Sequence, residues 1–183
     1  GGPGGGGKTL RLHGQGFPRG GHGAAVVGGF VVLGWLVHRA GANNRSVICL
    51  AGDGSVMMNL QELQTISGNS FPIVIFLLNN NGYASIAQTH NNYFNGVEVG
   101  CSEKSGLSFP RFESVAQAFN LDYLRIDDSS SLTDGIEHAL ASSNPILCEI
   151  MLDPLQPFSP RLSSRQLADG RMISSPLEDM TPF

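Results

Sequence analysis

Ser46 to Ala51 reads SVICLA, and Pro72 to Leu78 reads PIVIFLL. Each is a short apolar run that ends at a turn signal. Gly52-Asp53-Gly54-Ser55 follows the first run, and Asn79-Asn80-Asn81-Gly82-Tyr83 follows the second. Runs apolar on both faces suit strands buried between helices, as in parallel sheets. Between them, Asn59 to Ser67 carries Leu60, Leu63 and Ile66 on one side and meets Gly68, which predicts a helix. The alternation continues downstream. Arg111 to Phe119 sets Phe112, Val115, Ala116 and Phe119 at helical spacing, and Tyr123 to Ile126 reads as a strand. Leu132 to Ser142 reads as a helix with Ser131 as N-cap, and Ile146 to Leu152 as a closing strand. Strands alternating with helices predict an α/β fold: a doubly wound parallel sheet with helices on both faces.

Composition bounds the rest. The 183 residues fit one domain, and 41% hydrophobic content supplies a core without disulfides or a structural metal. The three cysteines include no CxxC pair, and Cys49 and Cys148 sit in apolar runs. That usage predicts a reduced, cytoplasmic chain and argues against zinc. A net charge of −4 argues against nucleic acid or an anionic membrane as partner. Charged residues are only 14% of the chain, against ~25% in an average soluble domain, so other domains or subunits are expected to cover part of its surface.

Residues 1–20 read as a flexible glycine-rich leader, 21–152 as the α/β domain, and 153–183 as a proline-rich arm. The leader contains a literal GxxxxGK[ST] match, Gly2 through Gly7, Lys8 and Thr9. A phosphate loop needs a strand before it and a helix after it, and the surrounding residues carry neither pattern. Ala24 to Val37 is uniformly apolar apart from glycines, and reads as a buried core helix. It falls short of the ~20 residues of a membrane span and lacks the flanks of a signal peptide. The arm holds five of the ten prolines, with Leu155, Phe158, Met172 and Met180 as apolar anchors.

The chemistry sits at two strand ends. In open parallel sheets, ligands bind beyond the carboxyl ends of the strands. Asp53 offers a carboxylate there, Asn80 a neutral amide oxygen and Gly82 a backbone carbonyl. Magnesium favours such oxygen sets, with one or two carboxylates completed by phosphate and water. Gly52 and Gly54 let backbone approach phosphates, and Ser55 can donate through hydroxyl or amide. These residues point to a magnesium diphosphate. An ordinary Gly-Asp-Gly turn and helix-capping asparagines are the plain alternative.

With these residues in view, GDGSVMMNLQELQTI followed by PIVIFLLNNNGY resembles the thiamine diphosphate motif, a Gly-Asp-Gly start closed by paired asparagines about thirty residues on. The resemblance is to acetolactate synthase-like enzymes and runs from Ser46 to Phe183, through GYASIAQTHNNYFNG, PRFESVAQAF and SPLEDMTPF. It implies a C-terminal domain that binds thiamine diphosphate and Mg2+. Asp53, Asn80 and the Gly82 carbonyl would hold the metal; Gly52, Gly54, Ser55, Gly82 and Tyr83 would border the cofactor. It also implies decarboxylation of a 2-oxo acid, then protonation or addition to a second carbonyl. The activating glutamate would come from a pyrimidine-binding domain of the same or a partner subunit, in a homo-oligomer. On this reading the chain carries no catalytic residue of its own and is inactive alone. Glu62 reads as solvated or structural, and His90 as an exposed loop histidine. Ahead of the motif the chain departs from the family's pattern: Gly20-Gly21-His22-Gly23 and AAVVGGFVVLGWLV stand where relatives have Gly-x-Met-Gly and Leu-Pro-Ala-Ala-Ile-Gly. Two rival functions remain: a P-loop-type NTPase using Lys8 and Asp53, and a non-catalytic diphosphate-binding or assembly module.

Overall fold

The structure, a computed structural model, describes residues 23–26, 47–156, 164–167, 169–174 and 176. Lys8, His22, Phe158 and Met180 lie outside the described residues, as does most of the apolar Ala24–Val37 segment.

Five parallel strands form one sheet: β1 (Gly23–Val26), β2 (Val47–Gly52), β3 (Ile73–Asn79), β4 (Asp122–Ile126) and β5 (Ile146–Met151), in the order β1-β2-β3-β5-β4. The helices are α1 (Asp53–Met57), α2 (Gln61–Gly68), α3 (Ala84–Tyr93), α4 (Phe112–Ala118) and α5 (Leu132–Ala141). The α/β parallel sheet read from the sequence is the fold that forms. Every apolar run chosen as a strand pairs in the sheet, with its ends within a residue or two of those expected.

Alternation along the strands builds two cores. Val47, Cys49, Ile73, Ile75, Leu77 and Leu147 face one way, against Val56 of α1, Leu63 and Ile66 of α2, and Phe112 and Ala116 of α4. Ile48, Val74, Phe76, Ile146, Cys148 and Ile150 face the other way, against Ala139, Ile136 and Leu140 of α5. Each such Val, Leu or Ile contributes about 1.5–3 kcal/mol by burial, so the central strands β3 and β5 anchor the fold. Burial also pushes the thiols of Cys49 and Cys148 up to about 11, which makes them packing groups rather than nucleophiles.

Several expectations change. Gly23–Val26 is a strand, not the start of a helix: it pairs in parallel with Val47–Leu50 along the open edge of β2. Ladder hydrogen bonds to that edge override what an apolar run with no periodicity can tell. Ser131 precedes α5 but makes no side-chain cap bond, because its backbone is already helical at φ −89°, ψ −2°. The Asp128 carboxylate instead accepts the N–H groups of Ser130 and Ser131 at 2.8 and 3.1 Å. The helix α3 was not read from the sequence, and it has no fully buried residue, so it lacks the apolar stripe that would announce it. In the C-terminal segment, β6 (Ser164–Gln166) and β7 (Met172–Ser174) form an antiparallel pair, and Leu155 is 89% exposed rather than anchored. Among the described residues no helix is long and apolar enough to cross a membrane.

Candidate functional site

β2 and β3 lie side by side with Gly52 opposite Leu78. The register therefore sets the two chemistry-bearing turns next to each other at the same edge of the sheet. Gly52 ends its strand in an extended conformation, and Asp53 opens α1. The Asp53 side chain is buried, 3% exposed. One of its oxygens, Oδ1, accepts the Gly54 N–H at 2.6 Å, and Oδ2 accepts the N–H of Gly82 at 3.0 Å, across 29 residues of chain. Burial pushes the Asp53 carboxyl above the usual carboxylate range, while these backbone donors pull it down.

The second turn is bent to meet the first. Asn81 takes a left-handed φ of 58°, and its N–H donates to Asn79 Oδ1 at 2.8 Å. This returns the Asn80 side chain toward Asp53. One atom of its amide stands 3.1 Å from Asp53 Oδ2 and 2.7 Å from the Gly82 carbonyl oxygen. With nitrogen inward, the amide donates to both acceptors. With oxygen inward, that oxygen faces the Asp53 carboxylate and the Gly82 carbonyl, a contact that a bridging cation would relieve. The donor set is one carboxylate and two neutral oxygens, of the kind hard divalent cations prefer.

Close approach accounts for two glycines. A Cβ at Gly82 would lie 2.8 Å from the Cys101 carbonyl oxygen, where Gly82 bridges Ser102 and the Tyr83 N–H donates to that same carbonyl at 2.8 Å. A Cβ at Gly54 would lie 2.3 Å from the Tyr83 ring. The space bared at Gly54 is thus taken by Tyr83, whose ring also meets Phe109 edge-on at 6.0 Å. At Gly52 a Cβ would find only ordinary contacts of 4.0 Å, including the Ser55 hydroxyl. A cleft of about 290 Å³ opens beside the second turn, lined by Asn80, Gly82, Glu98, Ser102 and Lys104 among others.

His90 belongs to the last turn of α3, not to a loop, and its Nδ1 lies 3.6 Å from the Cys101 Sγ. Glu62 is partly exposed in the first turn of α2.

Sequence reading missed the support behind the second turn. Asn79 Nδ2 donates to Glu149 Oε1 at 2.5 Å, and the Tyr123 hydroxyl donates to Glu149 Oε2. A signal existed: Glu149 is the one acidic residue in the apolar run ILCEIM, and it is 3% exposed.

Residues 8–150 match the family model described as thiamine pyrophosphate enzyme, C-terminal TPP binding domain. An acetolactate synthase large subunit of Parasynechococcus marenigrum (strain WH8102) is 28% identical over 58% of this chain, which spans 17% of that protein. The acetolactate synthase isozyme 2 large subunit of Escherichia coli (strain K12) is 31% identical over 62% of this chain, which spans 20% of it. Among solved structures, the Rhodococcus jostii RHA1 thiamine diphosphate-dependent 4-hydroxybenzoylformate decarboxylase superposes with a TM-score of 0.56 at 26% identity. That likeness covers 64% of this chain and 22% of the other. The chain therefore spans about a fifth of the length of the relatives it resembles, and it belongs to the thiamine pyrophosphate enzymes as an acetolactate synthase-like C-terminal, cofactor-binding domain.

Proposed function

We propose that this chain binds the Mg2+ complex of thiamine diphosphate and serves a 2-oxo acid decarboxylase or carboligase of the acetolactate synthase kind. The observation that carries the reading is the Asn80 amide standing 3.1 Å from Asp53 Oδ2 and 2.7 Å from the Gly82 carbonyl oxygen. Magnesium prefers oxygen ligands with one or two carboxylates among them, and Asp53, the Asn80 amide oxygen and the Gly82 carbonyl are the residues that would hold it. Asp53 brings a single negative charge, which leaves the metal net positive toward a diphosphate. Gly52, Gly54, Ser55, Gly82 and Tyr83 are the residues that would border the cofactor. When bound, thiamine diphosphate supplies the electron sink for loss of carbon dioxide from a 2-oxo acid. The chain's own residues anchor it and bury the Asp53 charge that faces the metal.

The rest of the enzyme is assigned elsewhere. The group that activates the cofactor's pyrimidine belongs to a pyrimidine-binding domain of the same or a partner subunit, so the 183 residues alone bind weakly and turn over nothing. A homo-oligomer suits the exposed apolar residues Ile86, Phe94, Val97 and Val99 along and after α3. A cytoplasmic location suits three free, buried cysteines. Residues 1–20 as a leader and 153–183 as an arm complete the proposal.

Calorimetric titration with thiamine diphosphate and Mg2+, on wild type and on Asp53→Ala, tests the reading. Metal-dependent binding that the substitution abolishes is the expected result. No binding by wild type, or ATP binding lost on Lys8→Ala, would overturn it in favour of a scaffold or a nucleotide site. Cofactor binding with no carboligation once the other domains are supplied would leave an assembly module.

A further inference from the structure

The turn that brings Asn80 and Gly82 to Asp53 is not self-supporting. Asn79 Oδ1 accepts the Asn81 N–H at 2.8 Å while Asn81 holds φ at 58°, and Asp53 Oδ2 accepts the Gly82 N–H at 3.0 Å from across the site. An amide can present either end, and something must choose. Glu149 makes that choice. A carboxylate only accepts hydrogen bonds, so the contact from Asn79 Nδ2 at 2.5 Å obliges the nitrogen to face Glu149 and the oxygen to face Asn81. Glu149 is itself immobilised. It is 3% exposed in strand β5, its other oxygen accepts the Tyr123 hydroxyl, and Arg125 Nη1 of β4 stands 3.9 Å away. A carboxyl group kept this deep in an otherwise apolar strand needs satisfied partners. Those partners form an unbroken line from β4 through β5 to the end of β3.

The geometry points to Glu149 as a positioning residue: acting through Asn79, it sets the Asn80–Gly82 turn that faces Asp53. Its relevance to cofactor binding rests on the reading of Asp53, Asn80 and Gly82 as a cation cradle, whereas its effect on the turn does not.

The test reverses the direction of one hydrogen bond. Asn79→Asp sets two acceptors against each other, and Glu149→Gln added to it restores a donor from the opposite side, with the remaining amide oxygen still free to accept from Tyr123. Residue-resolved amide exchange on the ligand-free full chain, at about pH 8 and so well above the ordinary carboxylate range, reads the turn directly. Titration with Mg2+ and thiamine diphosphate reads the site. In the single variant, exchange at Asn81 and Gly82 is expected to accelerate at least about tenfold relative to the interiors of β3 and β5, and cofactor affinity to fall by a similar factor. The double variant is expected to return both to within about threefold of wild type. A folded Asn79→Asp variant with an unchanged turn would overturn the assignment. So would equal acceleration in turn and strands, which marks a merely structural role, or a double variant no better than the single. If Asn79→Asp does not fold, the double variant decides alone: native protection at Asn81 supports the assignment, and its loss overturns it. Should wild type take up no cofactor while the exchange pattern follows expectation, the functional reading falls and the positioning role stands.

Discussion

Two carboxylates, Asp53 and Glu149, are equally buried at 3% exposure, yet their surroundings differ in kind. Glu149 sits in a closed network, satisfied by Asn79 and Tyr123 with Arg125 at its margin. Asp53 is met by the peptide N–H groups of Gly54 and Gly82 and by a neutral amide, and among the described residues no cationic side chain pairs with it. Burial alone therefore does not mark a ligand site. Incomplete neutralisation does, because a charge held out of water with only dipoles around it gains most from an incoming cation.

The sharpest way to break that contrast is Asp53→Asn. It is expected to cost at least about 100-fold in Mg2+-dependent affinity for thiamine diphosphate by calorimetry, since only the cation needs the charge. The ligand-free melting temperature should change little, because relief of the buried charge offsets the loss of one of the two oxygens that accept backbone N–H groups. The mirror experiment, Glu149→Leu, should do the reverse. It strands the Asn79 amide and the Tyr123 hydroxyl, at about 1–3 kcal/mol each, and urea unfolding of the ligand-free chain should show a loss of about 2–4 kcal/mol.

A third prediction compares neighbouring glycines. Gly54→Ala must displace the Tyr83 ring and is expected to cost about 1–3 kcal/mol in the same unfolding assay, while Gly52→Ala, with only 4.0 Å contacts, should cost less than about 1. The smallest effect is on pH dependence. The folded-state pKa of Asp53 is raised chiefly by burial, so its contribution to stability is full below the ordinary carboxylate range and is lost as pH rises through the raised value. The stability difference between wild type and Asp53→Asn, measured without ligand, should shift in favour of wild type as pH falls. Saturating Mg2+ and thiamine diphosphate should reverse that slope, since the metal favours the ionised form.

How much could be read in advance differs from element to element for physical reasons. SVICLA, PIVIFLL and ILCEIM were legible because strands covered on both faces must be apolar throughout. Asp53 and Asn80 were legible because polar residues directly after such strands are hard to explain by packing. The helix α3 was not legible: it lies outside both cores and keeps no apolar stripe. The first apolar segment misled, because an unbroken run of Ala, Val and Gly fits a strand or a buried helix, and only pairing with β2 selects the strand at Gly23–Val26. The role of Asn79 was hidden inside a triplet of asparagines whose members look alike in sequence and differ only in what each side chain meets.

Local chemistry along the chain determined the layer order, the two apolar faces, and the polar turns that end β2 and β3. These follow from burial and backbone preference, which act over a few residues at a time. Tertiary structure alone decided that Gly52 lies opposite Leu78, that Tyr83 covers Gly54, and that Glu149 braces a turn about seventy residues before it. Each of those depends on strand register and on contacts between distant segments, and no local preference encodes a distance that only the folded sheet sets.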